Sequence, residues 1–165
     1  MAGEILFITK AEMTNTTILG GNVDFDKYSF CVLDTQLRVL EPLLGTELYE
    51  KIKTDLEAET LSGLYLELFN DYVKPITKFA SVANYLEIAS YLVDNGGVYK
   101  HVADNKQVVE KNEVMSLVQK YNGMTDMFII RFQKWICNNH LTEYKTYQDK
   151  VNADKDIKTV FGWKL

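Results

Sequence analysis

Along most of the chain, apolar residues recur every three or four positions, the period of a helix that buries one face. Phe30, Leu33, Leu37, Leu40 and Leu44 make the first such row, Leu48 and Ile52 the second, and Leu61, Leu64, Leu68 and Tyr72 the third. Ile76, Phe79, Ala83, Leu86 and Tyr91 follow, with Ala80 and Ala89 small enough for close packing. The longest row is Val114, Val118, Tyr121, Thr125, Phe128, Phe132 and Trp135, whose four-three spacing suits an antiparallel bundle.

Polar and turn-forming residues divide these rows. Asp24 or Asp26 offers a carboxylate to cap the first helix. Pro42 lacks the N–H that a helix interior needs, so the helix ends or kinks there, and Gly45-Thr46 supplies a stop and a new start. A second helix is predicted over residues 47–56, followed by a polar break at residues 57–60. Pro75 marks a junction, because the residue before a proline is pushed out of the helical region. The next helix is predicted over residues 75–94 and ends at Asn95-Gly96-Gly97, with a short extended stretch over residues 98–102. The last is predicted over residues 106–140, broken near Asn122-Gly123 because a helical glycine costs about 1 kcal/mol relative to alanine.

The two ends of the chain read differently. Residues 1–22 carry a short β-favouring run, Ile5 to Thr9, and then a stretch rich in turn residues. Residues 142–165 are polar and aromatic with little helical periodicity. The pattern therefore predicts one mainly α domain: a helical bundle over residues 23–141 with a long C-terminal helix, an extended N-terminal arm over residues 1–22 and a C-terminal tail over residues 142–165. Neither end can form a core by itself, yet each carries large apolar groups. Ile5, Leu6 and Phe7 in the arm, and Tyr144, Tyr147, Phe161 and Trp163 in the tail, are the candidate partner-binding residues. Each could contribute on the order of 1.5–3 kcal/mol if buried against a neighbour. For the tail, folding back onto its own bundle is the alternative.

Composition narrows the function. The chain has 165 residues, is 47% hydrophobic and 25% charged, as ordinary globular domains are. Its net charge of −5 gives no electrostatic pull on nucleic acid. Thirteen acidic and seven basic residues fall in positions 1–83, against ten and eleven in positions 84–165. Such polarity favours head-to-tail contacts. No apolar run is long enough to span a bilayer, and the N-terminus lacks the basic region of a secretion signal.

Candidate chemistry is sparse. Cys31 and Cys137 each sit in an apolar helical pattern, where a free thiol behaves as a small hydrophobe. Cys137 and His140 could share a helix face, but two groups do not make a metal site. Phosphate-binding glycine loops and the nucleophile elbow are missing from the sequence, and Asp55, Glu57 and Glu59 read as a solvated loop. The expectation is a protein that binds and assembles, without catalytic residues, cofactor or metal.

Leu40-Glu41-Pro42-Leu43-Leu44-Gly45-Thr46-Glu47-Leu48-Tyr49 resembles the helix junction of small phage head–tail connector proteins. The run from Pro75 to Tyr91, closed by Asn95-Gly96-Gly97-Val98, is similar to their central helix and its exit. The long final helix and the ending Phe161-Gly162-Trp163 look like proteins of the tail-ring region of crAss-like and related tailed bacteriophages. The resemblance covers residues 26–140 in outline. It implies a structural virion protein, assembled in the cytoplasm of a bacterial host. Such a protein forms a ring, commonly of twelve copies, between the portal and neighbouring tail proteins, and DNA passes through it without sequence-specific binding. The reading from another class is a small helical partner-binding or regulatory module of a bacterium or phage.

Overall fold

The computed structural model describes residues 5–19, 23–89, 91–94, 97–100 and 111–145. Seven α-helices are present among them: α1 (Lys10–Thr16), α2 (Ser29–Thr35), α3 (Glu41–Leu44), α4 (Thr46–Glu57), α5 (Gly63–Leu68), α6 (Lys74–Ile88) and α7 (Lys111–Asn138). The fold is mainly α, as the apolar periodicity predicts. Helix α6 lies at its centre and packs on α7 along one side and α2 along another.

Both prolines sit at the second residue of a helix, and a widened π turn precedes each. Gln36–Leu40 leads into α3 and Phe69–Val73 leads into α6. In each, the residue before the proline donates its N–H five residues back, Glu41 to Gln36 and Lys74 to Phe69. A proline ring in a regular helix clashes with the carbonyl four residues earlier and leaves it without a donor. The extra residue in the turn shifts that carbonyl aside, so the chain continues where an ending or kink is expected.

The inserted residue also rotates the face that the helix presents. This corrects the first predicted row. Phe30 and Leu37 are 52% and 46% exposed, whereas Cys31, Val32, Thr35 and Gln36 are buried ahead of Leu40 and Leu44. Leu64 turns outward in the same way before the second π turn, and Phe69 and Val73 turn in. The predicted aspartate cap is also displaced: Asp24 precedes a 3-10 turn, Phe25–Lys27, and α2 starts at Ser29 without a side-chain cap.

Helix α3 stops at Gly45, whose φ of 80° and ψ of 149° lie in a region open essentially to glycine alone. Helix α4 buries Leu48 and Ile52 as expected. Helix α6 ends at Ile88, earlier than predicted, because the following residues form a hairpin. Tyr91–Asp94 pairs antiparallel with Gly97–Lys100, and Asp94 stands opposite Gly97. Asn95-Gly96 between them is a sequence suited to a tight hairpin. Helix α7 runs without interruption through Gly123, correcting the expected break. Gly123 is exposed, and beyond its own helix backbone nothing lies within 4 Å of where a Cβ would stand, so the missing side chain leaves no hole in the packing.

Two apolar clusters form the core. The first gathers Leu40, Leu44, Leu48, Ile52, Leu68, Val73, Ile76, Phe132 and Ile136 around the proline junctions and the C-terminal half of α7. The second gathers Tyr28, Val32, Val82, Ala83, Val118 and Tyr121 where α2, the later part of α6 and the first part of α7 meet. The N-terminal arm joins both. Phe7 belongs to the first, and Ile8, Met13 and Leu19 belong to the second.

Candidate interaction surfaces

The arm is held to the bundle by hydrogen bonds, ring contacts and an ion pair. The Ile5 carbonyl and the Phe7 N–H both face the π turn that precedes α3. Gln36 meets both: its Oε1 accepts from the Phe7 N–H at 2.8 Å, and its Nε2 donates to the Ile5 carbonyl at 3.0 Å. One buried side-chain amide thus does what one rung of a neighbouring strand would do. The same Nε2 lies 3.4 Å from the Tyr49 hydroxyl.

The Phe7 ring sits in an aromatic socket. Its centroid is 5.3 Å from that of Tyr49 and 5.8 Å from that of Phe69, the latter edge-on. Gln36 and Phe69 are the first residues of the two π turns, so both proline junctions aim a side chain at Phe7. Short π segments are frequent at functional sites.

Helix α1 follows at once. Thr9 caps it, its hydroxyl accepting from the Glu12 N–H at 3.2 Å, while the Glu12 carboxylate takes the Thr9 N–H at 2.8 Å. Glu12 also receives the Lys74 ammonium at 2.6 Å, tying α1 to the start of α6. Partial burial raises the pKa of the Glu12 carboxyl, but the hydrogen bonds and charge of Lys74 and Thr9 outweigh it and hold the carboxyl below its ordinary 4.5. A lowered acid pKa stabilises the fold above the unfolded value. The latch is therefore complete above pH 4.5 and weakens as the pH falls through the lowered folded value.

In this structure the arm packs on its own bundle. Phe7 is fully buried in its own chain and cannot dock elsewhere while it stays there. Ile5 and Leu6 are half-buried against the two clusters.

Of the tail residues, Tyr144 is described, and Tyr147, Phe161 and Trp163 lie outside the described residues. Tyr144 is half-buried, edge-on to Phe132 at 5.8 Å. Its neighbours pin the turn after α7: the Tyr65 hydroxyl donates to Glu143 at 2.6 Å, and Lys145 pairs with Glu47. That hydrogen bond to the Glu143 carboxylate requires the neutral phenol and, with some burial, pushes the Tyr65 pKa up to about 12. Tyr144, Cys137 and His140 line a cavity of 460 Å³ at this end of α7. Cys137 is exposed, contrary to its apolar surroundings in sequence, whereas Cys31 is buried and its thiol is raised to about 11 by burial and by Asp34. Among the described residues, no group of three or more His, Cys, Asp or Glu is placed to hold a metal ion.

Helix α7 offers a second surface. Opposite its buried row, Gly123, Met127, Ile130 and Lys134 recur at four-three-four spacing, and Met127 and Ile130 are 47% and 51% exposed. Met115 and Leu117 are exposed nearer its start. A polar cleft of 260 Å³ lies between α2, α6 and α7, where Asp34 accepts from Asn84 at 2.9 Å and from Arg38 at 3.2 Å. Residues 40–157 match the model of a protein family of unknown function. No curated protein and no solved structure matches the chain.

Proposed function

We propose that this chain, which belongs to the DUF6712 family, is a structural head–tail connector of a tailed bacteriophage, forming a ring between portal and tail. The observation that carries this reading is the outer face of α7. A helix whose inner row is fully engaged in the core also keeps Met127 and Ile130 in water, on one row and next to a glycine that permits close approach. Single exposed apolar residues are ordinary, but a row of them on the longest helix suits a contact between copies. The mainly helical fold and the sequence around Pro42 support the reading by resemblance. The net charge of −5 suits a channel through which DNA slides without sticking. The partners are then copies of the chain, probed first at twelve, together with the portal and adjoining tail proteins, within the virion.

Light scattering after size exclusion, with and without a portal ring, tests the proposal. The expected result is a closed oligomer, alone or on the portal, which the double substitution Met127→Glu and Ile130→Glu abolishes while circular dichroism stays unchanged. A chain that remains monomeric under both conditions would overturn it.

A further inference from the structure

The arm's mode of attachment has features of a joint between molecules. Its helix is capped by its own Thr9 and Glu12, and the Thr16 and Thr17 hydroxyls return to its own carbonyls at 2.6 Å. Among the described residues its polar ties to the bundle are separable: the paired bonds of Gln36, and the Glu12–Lys74 ion pair. Gln36 reads main chain only, and the socket of Tyr49 and Phe69 reads one ring. Nothing in this set depends on the arm belonging to the same chain. The sequence joining it to the bundle, Gly20-Gly21-Asn22, contains two glycines, which accept varied backbone paths without side-chain strain.

We infer that the slot holding residues 5–19 is where copies join, each arm seating in the slot of the next copy in the assembled ring. The inference rests on the reading of the chain as a self-assembling ring protein. Exchanging identical segments keeps every contact and so costs little. An empty slot, in contrast, would open the apolar walls formed by Tyr49 and Phe69 to water. That penalty favours closed assemblies, in which every slot is filled, over open chains with a vacant end. The occupant is residues 5–19 of a second copy, and the slot's chemistry gives its terms: a main-chain carbonyl and an N–H two residues apart, a phenylalanine, and a carboxylate five residues after it.

The ion pair supplies the test. Equal amounts of unlabelled and ¹⁵N-labelled full-length protein are unfolded together, refolded and treated with a carbodiimide. This reagent removes water between a carboxylate and an amine in contact and leaves an amide between Glu12 and Lys74. Peptide mass spectrometry then reads whether each linked pair joins like or unlike labels. Arm exchange predicts as many mixed-label as same-label pairs in the oligomer. Oligomers with same-label pairs only would overturn the exchange and leave the ring reading standing. Mixed pairs in an oligomer that ignores the portal would uphold the exchange and defeat the connector reading. A chain that stays monomeric with and without the portal, with same-label pairs only, would overturn both.

A charge swap gives an independent check. Glu12→Lys alone and Lys74→Glu alone set like charges against each other in every arrangement. Co-refolded, the two variants restore opposite charges only across chains. A several-fold excess of mixed over uniform oligomers is expected, and a mixture that behaves as the sum of its parts would overturn the inference.

Discussion

The two proline junctions begin alike and end differently. In each, a five-residue π turn precedes a proline at the second position of a helix, and the first carbonyl of the turn accepts an N–H five residues on. After Pro42 the helix lasts only to Leu44, and after Pro75 it runs to Ile88. The proline therefore does not decide where the helix ends. The third residue after it does: Gly45 adopts a backbone conformation closed to other residues, whereas Lys78 continues the helix and lays its ammonium 4.8 Å over the Phe79 ring. The junctions also differ in what they hand to the arm, a hydrogen-bonding amide from Gln36 and an aromatic edge from Phe69.

The largest effect is expected at the aromatic junction. Phe69→Ala empties one wall of the Phe7 socket inside the first cluster and should lower stability by about 3–5 kcal/mol, measured by denaturant unfolding. A loss below about 1 kcal/mol would mean that the two junctions do not share the load of the arm. Gln36→Leu should cost about 1–3 kcal/mol, because it leaves buried groups of the arm unpaired. Limited proteolysis should then cut within residues 5–19 first. Gln36→Glu sharpens the point, since a carboxylate still accepts from Phe7 but cannot donate to Ile5, and should fall between wild type and Gln36→Leu.

The helix-ending rule can be broken from either side. Gly45→Val should cost about 1–3 kcal/mol through backbone strain. Lys78→Gly should cost about 1 kcal/mol through helix propensity, without ending the helix. Equal melting temperatures for Gly45→Val and wild type would refute the account of the first junction. The smallest change is expected where a third interruption was predicted and none occurs: Gly123→Ala should raise stability by up to about 1 kcal/mol, read as a higher melting temperature.

The bundle was legible because its rows are long. The face of α7, the pair Leu48 and Ile52, and the stop at Gly45 all follow from spacing and residue type. The rows across the prolines were misread because a regular 3.6-residue period cannot register one inserted residue. Phe30 and Leu37 satisfy the period on paper and face solvent in the fold. The hairpin over residues 91–100 was missed because its first strand continues the apolar row of α6, although Asn95-Gly96 carried the signal.

The arm was partly legible. Ile5 to Phe7 stood out as apolar, but Thr9-Lys10-Ala11-Glu12 is a capping box that announces a helix inside a segment read as extended. The burial of Phe7 depends on Gln36, Tyr49 and Phe69, at separations of 29 residues and more. A buried glutamine that pairs with distant main chain leaves no periodic trace, which is why the slot became visible only in three dimensions.

Phe7 and Ile8 are adjacent in sequence, yet their side chains enter different apolar clusters at a bend in the chain. Two neighbouring residues thus make the two halves of the core thermodynamically interdependent. With the arm seated, loosening either half strains the other, which favours a single cooperative melting transition. With the arm withdrawn, the halves remain linked chiefly through α6 and α7, and partial opening of one end becomes accessible without global unfolding. The arm therefore sets the size of the unit that unfolds as one.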